Sequence, residues 1–424
     1  MVGVDPRRFD RMTPAPAGAP SPSLPAHPPL PILAILGLSL AAMASGMSMR
    51  VTDAMLPRLK AEFAVSIGEA SQVITAFAVA YGLAQLAFGP LGDRYGKYRV
   101  IAAACAVSAL TALLCAFAQG PLALTAARLL AGMTAAAVIP LSMAWIGDVV
   151  PYERRQPVLA RFLIGQIFGF ASGVWLGGYA AEHLDWRAPF FLISACFAAV
   201  AVVLQVVRRT LPAQAAQAAQ GAPLARMAGE FRAVLALPWA RVVLLTVFLE
   251  GAAMFGPFAF IAAHLHLRFG LPLSTVGALV MSYAVGGLLF ALGAKTLVNR
   301  LGERALVHWG AAAMALSLLA VAFGPRWWWA IPACALMGTG FYMMHNTLQV
   351  QATQMAPQRR GAAVAAFASC LFLGQSVGVG LAGLLVGPLG TGWVIASGAA
   401  GLLAVAWNFN RQRLRHAPAA ARAG

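Results

Sequence analysis

Polar and apolar positions in this chain come in long blocks. Apolar runs fall at about 32–57, 69–89, 100–118, 122–147, 157–181, 189–207, 241–263, 274–298, 305–324, 327–350, 361–387 and 391–409. Each is close to the roughly 20 residues with which an α-helix crosses the hydrocarbon of a bilayer. The pattern predicts an all-α integral membrane protein with twelve spans. The longest internal polar stretch, 208–240, separates six spans from six, so a bundle over 32–207, a cytoplasmic linker over 208–240 and a second bundle over 241–410 are expected. Residues 1–31 hold nine prolines and bury nothing, which predicts a disordered cytoplasmic tail. Residues 411–424 read as a basic cytoplasmic tail. Arg7, Arg8 and Arg11 precede the first apolar run as in a secretory signal, but that run is longer than a signal core and carries Arg50 and Asp53, so it is read as a retained span.

Composition agrees: 60% of the 424 residues are hydrophobic and 10% charged, against about 25% charged in a soluble domain. The net charge of +17 would suggest a nucleic-acid partner in a soluble chain. Its distribution argues otherwise. Of the 30 Lys and Arg, 23 lie in the tails, the even-to-odd loops and the span ends that border them, five in the opposite loops (Arg58, Lys60, Arg187, Arg268, Arg326), and two, Arg50 and Arg128, deeper within spans on the other side. The basic excess marks the cytoplasmic face, which places both termini in the cytoplasm of a cell-membrane (inner-membrane) protein with no nucleic-acid partner. Cys105, Cys115, Cys196, Cys334 and Cys370 are isolated within spans and read as packing residues. No Walker loop, HExxH or paired CxxC occurs, and Gly374-Gln375-Ser376-Val377-Gly378, which fits G-x-S-x-G, lies inside an apolar run and not at the strand-to-helix turn that motif needs. Neither an ATP-driven pump nor an enzyme is therefore indicated, and no metal or cofactor is expected.

A shift of 206 positions aligns Arg94-Tyr95-Gly96-Lys97 with Arg300-Leu301-Gly302-Glu303, Pro151 with Pro357 and Arg154 with Arg360. Two loops sharing one offset indicate a duplicated six-helix unit, and such repeats hold their substrate path between the halves near the bilayer midplane.

The first copy of the loop, Gly89-Pro90-Leu91-Gly92-Asp93-Arg94-Tyr95-Gly96-Lys97, resembles the loop between spans 2 and 3 of the major facilitator superfamily of secondary transporters, whose pattern is G-x-x-x-D-R-x-G-R/K. In the second copy Asn299 replaces Asp93 and Lys295 replaces Gly89. The resemblance implies that Gly89, Asp93, Arg94, Gly96 and Lys97 form a clasp that biases the transport cycle, carried mainly by the first copy. Leu124-x-x-x-Arg128-x-x-x-Gly132 in span 4 and Trp186-Arg187-x-x-Phe190 before span 6 match further patterns of the superfamily, including its twelve-span drug:proton antiporter branch. Span 5 has Gly165-x-x-x-Gly169-Phe170-x-x-Gly173 where that branch places a proline at 170.

An ionisable group at mid-bilayer costs around 2.5–3.5 kcal/mol on insertion scales, so each needs a reason. Arg50 and Asp53 share a face of span 1, and Arg128 lies at a similar depth in span 4. Asp53 is expected to meet either arginine, and two readings stay open: a proton acceptor tuned by that cation, or a static Arg50–Asp53 pair that stabilises span 1. The resemblance implies that Arg128 tunes a nearby carboxylate, and a bidentate carboxylate partner suits its planar fork. Glu250 lies near the middle of span 7 with no cation on its own helix, and His345 in span 10 is within reach of it. Gln166, Gln375, Tyr81 and Asn346 are candidate cavity residues.

Three functions follow in order: proton-coupled efflux of a small amphipathic compound or drug by antiport, proton-coupled uptake of a small metabolite, and a non-transporting sensor or scaffold. The expected partners are a small-molecule substrate, protons and the lipid bilayer, around a monomer.

Overall fold

The computed structural model describes residues 31–211 and 224–416. The Pro-rich tail up to residue 30, the middle of the expected linker (212–223) and the end of the basic tail (417–424) lie outside the described residues. The described chain is helical: α1 (Ile32–Arg50), α2 (Leu56–Phe63), α3 (Ile67–Ala70), α4 (Gln72–Tyr95), α5 (Lys97–Ala116), α6 (Pro121–Ala135), α7 (Val138–Val149), α8 (Tyr152–His183), α9 (Ala188–Thr210), α10 (Leu224–Ala236), α11 (Pro238–Phe258), α12 (Ile261–Phe269), α13 (Leu273–Phe323), α14 (Ala330–Gln354) and α15 (Arg360–His416).

Among the described residues nine helical stretches are long and apolar enough to cross a membrane. Two of them are far longer than one crossing. Within α13, 51 residues long, the backbone turns at Gly302 (φ 70°), and within α15, 57 residues long, at Gly390 (φ 77°). Positive φ is open to glycine without steric cost. Two crossings by each of these, with one by α14, which is not among the nine, would give the expected twelve. Gly96 also has a positive φ, 87°, so the aligned glycines of the two loop copies, Gly96 and Gly302, perform the same turn. The expected linker is not all irregular: α10 lies within it and packs against α15 through Val234.

Spans 1 and 4 are interrupted. The first breaks at 51–52 and resumes through a short 3-10 turn, Asp53–Met55; the second breaks at 136–137. Pro57 and Pro140 stand four residues after Asp53 and Ala136, where a proline ring clashes with the carbonyl and supplies no N–H. Span 7 breaks at 259–260, beside Pro257. The breaks in spans 1 and 7 occupy nearly corresponding positions at the 206-residue offset.

Glycines set the closest helix contacts. A Cβ at Gly165, Gly169, Gly173 or Gly177 of α8 would run into the carbonyls of Ser39, Met43, Met47 or Val51 in turn. Four-residue steps on both sides make this a continuous backbone-to-backbone seam of the small-xxx-small kind. Gly374 and Gly378 of α15 meet Phe248 and Ala252 of α11 in the same way. Across the division at 208–240, α4 packs on α15 and α8 on α13.

Candidate functional site

The interruption of span 1 sets the geometry of its charged pair. Arg50 ends α1 and Asp53 opens the 3-10 turn, and Arg50 Nη1 donates to Asp53 Oδ2 at 3.3 Å. Both side chains are buried, and Asp53 Oδ1 has no hydrogen-bond partner. The guanidinium also faces three rings: Phe255 at 4.5 Å, Phe258 at 5.3 Å and Phe170 at 5.7 Å from their centroids. Phe170 belongs to α8 and the other two to α11, so Arg50 joins helices from both sides of the linker. A desolvated cation over an aromatic face gains about 2 kcal/mol. The residue that departs from the antiporter pattern of span 5, Phe170, is thus part of the arginine's surroundings.

Arg128 does not take the carboxylate partner expected of it. Its Nη1 donates to the Ser48 carbonyl at 2.7 Å and its Nε to the Val73 carbonyl at 3.4 Å, while the guanidinium lies 4.2 Å from the Phe77 ring centroid. Ser48 is in the last turn of α1, where carbonyls run out of helical donors. A cation there also meets the negative end of the helix dipole. Of the two arginines open to Asp53, the hydrogen bond goes to Arg50.

The second expected pair does form. His345 Nδ1 lies 3.0 Å from Glu250 Oε2. Glu250 is fully buried with Oε1 unpartnered, and the imidazole stacks on Phe341 and packs at a tilt against Phe367. The two charged pairs are linked through rings, since Phe255 packs edge-on against Phe341 at 5.1 Å. Neither phenylalanine is marked out in the sequence, because an aromatic residue in a span is ordinary.

Tyr81 and Gln375 are buried, Tyr81 against Phe77 and Phe372 with Phe372 supplied by α15. They lie in packed interior in this conformation, whereas Gln166 and Asn346 are half-exposed. Among the described residues no three His, Cys, Asp or Glu side chains gather as a metal site would need.

In the loop, Lys97 bridges Asp93 at 3.6 Å and Asp148 of α7 at 2.6 Å. No motif points to Asp148; a lone acid closing an apolar run is the one signal the sequence offers for it. Asp93 is exposed, Arg94 lies over Tyr95, and a Cβ at Gly92 would press on Leu141 at 2.7 Å, whereas Gly89 has open space around it. The second copy keeps an ionic contact with a residue of opposite sign: Glu303, aligned with Lys97, accepts from Gln351 of α14 at 2.9 Å and pairs with Arg413.

The two sets of helices meet at the end opposite these loops. Glu182 accepts hydrogen bonds from the Ser274 backbone N–H at 2.8 Å and from its hydroxyl. A Cβ at Gly178 would meet the Leu273 carbonyl, and one at Gly68 the Gly383 carbonyl. At the basic end, positions 89 and 361 have open space around them.

Comparison with known proteins agrees with this architecture. The family model of the Major Facilitator Superfamily matches residues 38–379 and 268–423. An uncharacterized MFS-type transporter of Bacillus subtilis, YceJ, is 26% identical over 78% of this chain and 83% of its own. The multidrug export protein EmrB of Haemophilus influenzae is 28% identical over 38% of this chain and 32% of its own. Among solved structures the nucleoside transporter NupG superposes with a TM-score of 0.70 at 16% identity, covering 90% of this chain and 98% of that one. With the whole helical region matched and the loop phrase in place, this chain belongs to the major facilitator superfamily of membrane transporters.

Proposed function

We propose that this transporter exports a small amphipathic compound in exchange for protons, by alternating access between two six-helix bundles, 32–207 and 241–410. The observation that carries the reading is the pair of buried carboxylates, Asp53 and Glu250, each held by one basic partner and each with one oxygen free of hydrogen bonds. A carboxylate is kept in a membrane interior at a cost that a proton relay justifies. Asp53 with Arg50, and Glu250 with His345, are the proton-coupling groups, and Arg128 positions the break in span 1. The aromatic layer between the pairs suits an apolar or aromatic substrate, with Gln166 and Asn346 offering polar contacts. The loop around Asp93 acts as the clasp. The distribution of basic residues supports an inner-membrane location with both termini cytoplasmic, and with that orientation the contacts at Glu182 and Gly68 close the outer side. Efflux by relatives such as EmrB supports the direction.

Uptake of a metabolite is the second reading, favoured by Phe170 in place of the antiporter proline. Purified protein in proteoliposomes with an imposed pH gradient separates the two. Uphill accumulation of a panel compound driven by protons moving the opposite way supports export. Co-movement of proton and compound supports uptake. No transport of any panel compound under either gradient counts against both.

A further inference from the structure

On the flank of the molecule, away from the charged pairs, α5 and α9 leave a groove of about 660 Å³ between them. Its α5 wall is small and apolar, with Ala102, Ala103 and Ala106, and its α9 wall carries Ala201, Val202 and Val206 with one polar side chain, Gln205, toward the basic end. At one end it is rimmed by Arg99, in the first turn of α5, and by Arg208 and Arg209, in the last turn of α9. The alanine wall runs from Arg99 to Ala106, about 10 Å along the helix axis at 1.5 Å per residue.

None of the three arginines has an ion-pair partner among the described residues, and residues 212–223, which follow the rim in sequence, contain no Asp or Glu. The basic-inside rule accounts for arginines at this end of the spans. It does not account for three of them converging on the mouth of a cleft between two helices. Arg208 and Arg209 offset the negative end of the α9 dipole, but α5 presents its positive end at the same rim, so the rim as a whole stays cationic.

We propose that this groove binds an anionic phospholipid of the leaflet that meets the basic face. The headgroup phosphate is held by Arg99, Arg208 and Arg209, and an acyl chain lies along the alanine wall. A free phosphate shares the headgroup chemistry but leaves the apolar length of the groove unfilled, so the lipid is the occupant. Basic pockets between transmembrane helices on the cytoplasmic side are suited to such headgroups.

The test uses the full-length protein, purified in mild detergent and exposed to equal amounts of phosphatidylglycerol and phosphatidylethanolamine, with retained lipid counted by native mass spectrometry. One phosphatidylglycerol should be retained preferentially. Replacing Arg99, Arg208 and Arg209 together by Gln should weaken its retention by about fivefold per arginine, the effect of one basic residue near an anionic surface. Filling the groove by Ala103→Phe with Ala106→Phe should also release the lipid although every arginine remains. A control with Arg300→Gln, Arg304→Gln and Arg411→Gln removes equal charge elsewhere and should retain it. Equal loss in the control, full retention in the filled groove, equal retention of phosphatidylethanolamine, or displacement by millimolar inorganic phosphate as readily as by phosphatidylglycerol would each overturn the proposal. The filled-groove variant decides the matter if the arginine variant does not fold.

Discussion

His345 of α14 and Glu250 of α11 share a hydrogen bond of 3.0 Å between Nδ1 and Oε2, and the same imidazole lies 4.8 Å from the Phe341 ring at an interplanar angle of 11°. The stack fixes the ring plane and the hydrogen bond fixes its direction, so the histidine has little freedom to leave the carboxylate. Phe341 in turn touches Phe255, one of the rings over Arg50. A change in charge at Glu250 therefore has a short packed route to the Arg50–Asp53 pair.

The first prediction follows from that route. Asp53→Asn and Glu250→Gln keep the size and hydrogen-bonding capacity of each site while removing its proton exchange. Both variants should reach the membrane, and at least one should lose its dependence on the pH gradient. The expected reduction is roughly tenfold or more, within the 5–150-fold range of typical coupling free energies. Gradient-driven uptake into everted vesicles measures it, and full uphill transport by both variants would sink the coupling assignment.

The second concerns the arginines. Arg50→Met leaves Asp53 buried without its cation, a defect that costs about 3–5 kcal/mol. Adding Asp53→Asn should restore much of the loss, since the uncompensated charge goes with it. Arg128→Met leaves two carbonyls without donors and no orphaned carboxylate, so Asp53→Asn should not rescue it. Thermal unfolding of the single and double variants in detergent reads this as a double-mutant cycle. Rescue of Arg128→Met by Asp53→Asn with none for Arg50→Met would return the carboxylate to Arg128.

Much of this architecture is legible in the sequence, because a bilayer demands apolar runs of fixed length and penalises every charge within them. The Glu250–His345 contact follows from depth alone. The environment of Arg128 does not, since its partners are backbone carbonyls freed by a break in span 1, and a carbonyl leaves no mark on residue identity. Pro57 is the available sign of that break, one turn beyond Asp53. The second loop copy hides its contact for a similar reason. Alignment shows only that Glu303 stands where Lys97 does, whereas Arg413, which completes its ion pair, comes from more than a hundred residues further along.

A third prediction tests the glycine seam. Gly169→Val and Gly173→Val push side chains into the carbonyls of Met43 and Met47, so α1 and α8 must separate. Overpacking of this kind costs about 1–3 kcal/mol. Gly89→Ala, where no atom lies within 4 Å of the added carbon, should unfold at the same temperature as the parent. Detergent melting curves compare them. A destabilised Gly89→Ala beside unchanged seam variants would mean that helix spacing does not depend on the glycines.

The last prediction concerns the end where the two sets of helices meet. Glu182 caps the N-terminus of α13 from across the interface, accepting from the Ser274 N–H. A negative charge there also meets the positive end of the helix. A cap of this kind contributes about 0.5–2 kcal/mol. Because the two residues lie on different bundles of the proposed cycle, that energy is present only while this end is closed. Glu182→Ala should therefore shift the conformational population toward opening here by roughly 2–30-fold, the Boltzmann equivalent of the cap. Its melting temperature should change little, since each bundle keeps its own packing. Glu182→Gln retains an acceptor but not the charge and should fall between. Ser71→Cys keeps a small side chain at a position that is buried against Gly383 while this end is closed, and its rate of reaction with a water-soluble maleimide, above that of the parent's own cysteines, reports the open population. The rate should rise in Glu182→Ala by the same factor. An unchanged rate, with equal melting behaviour, would show that Glu182 does not hold this end shut.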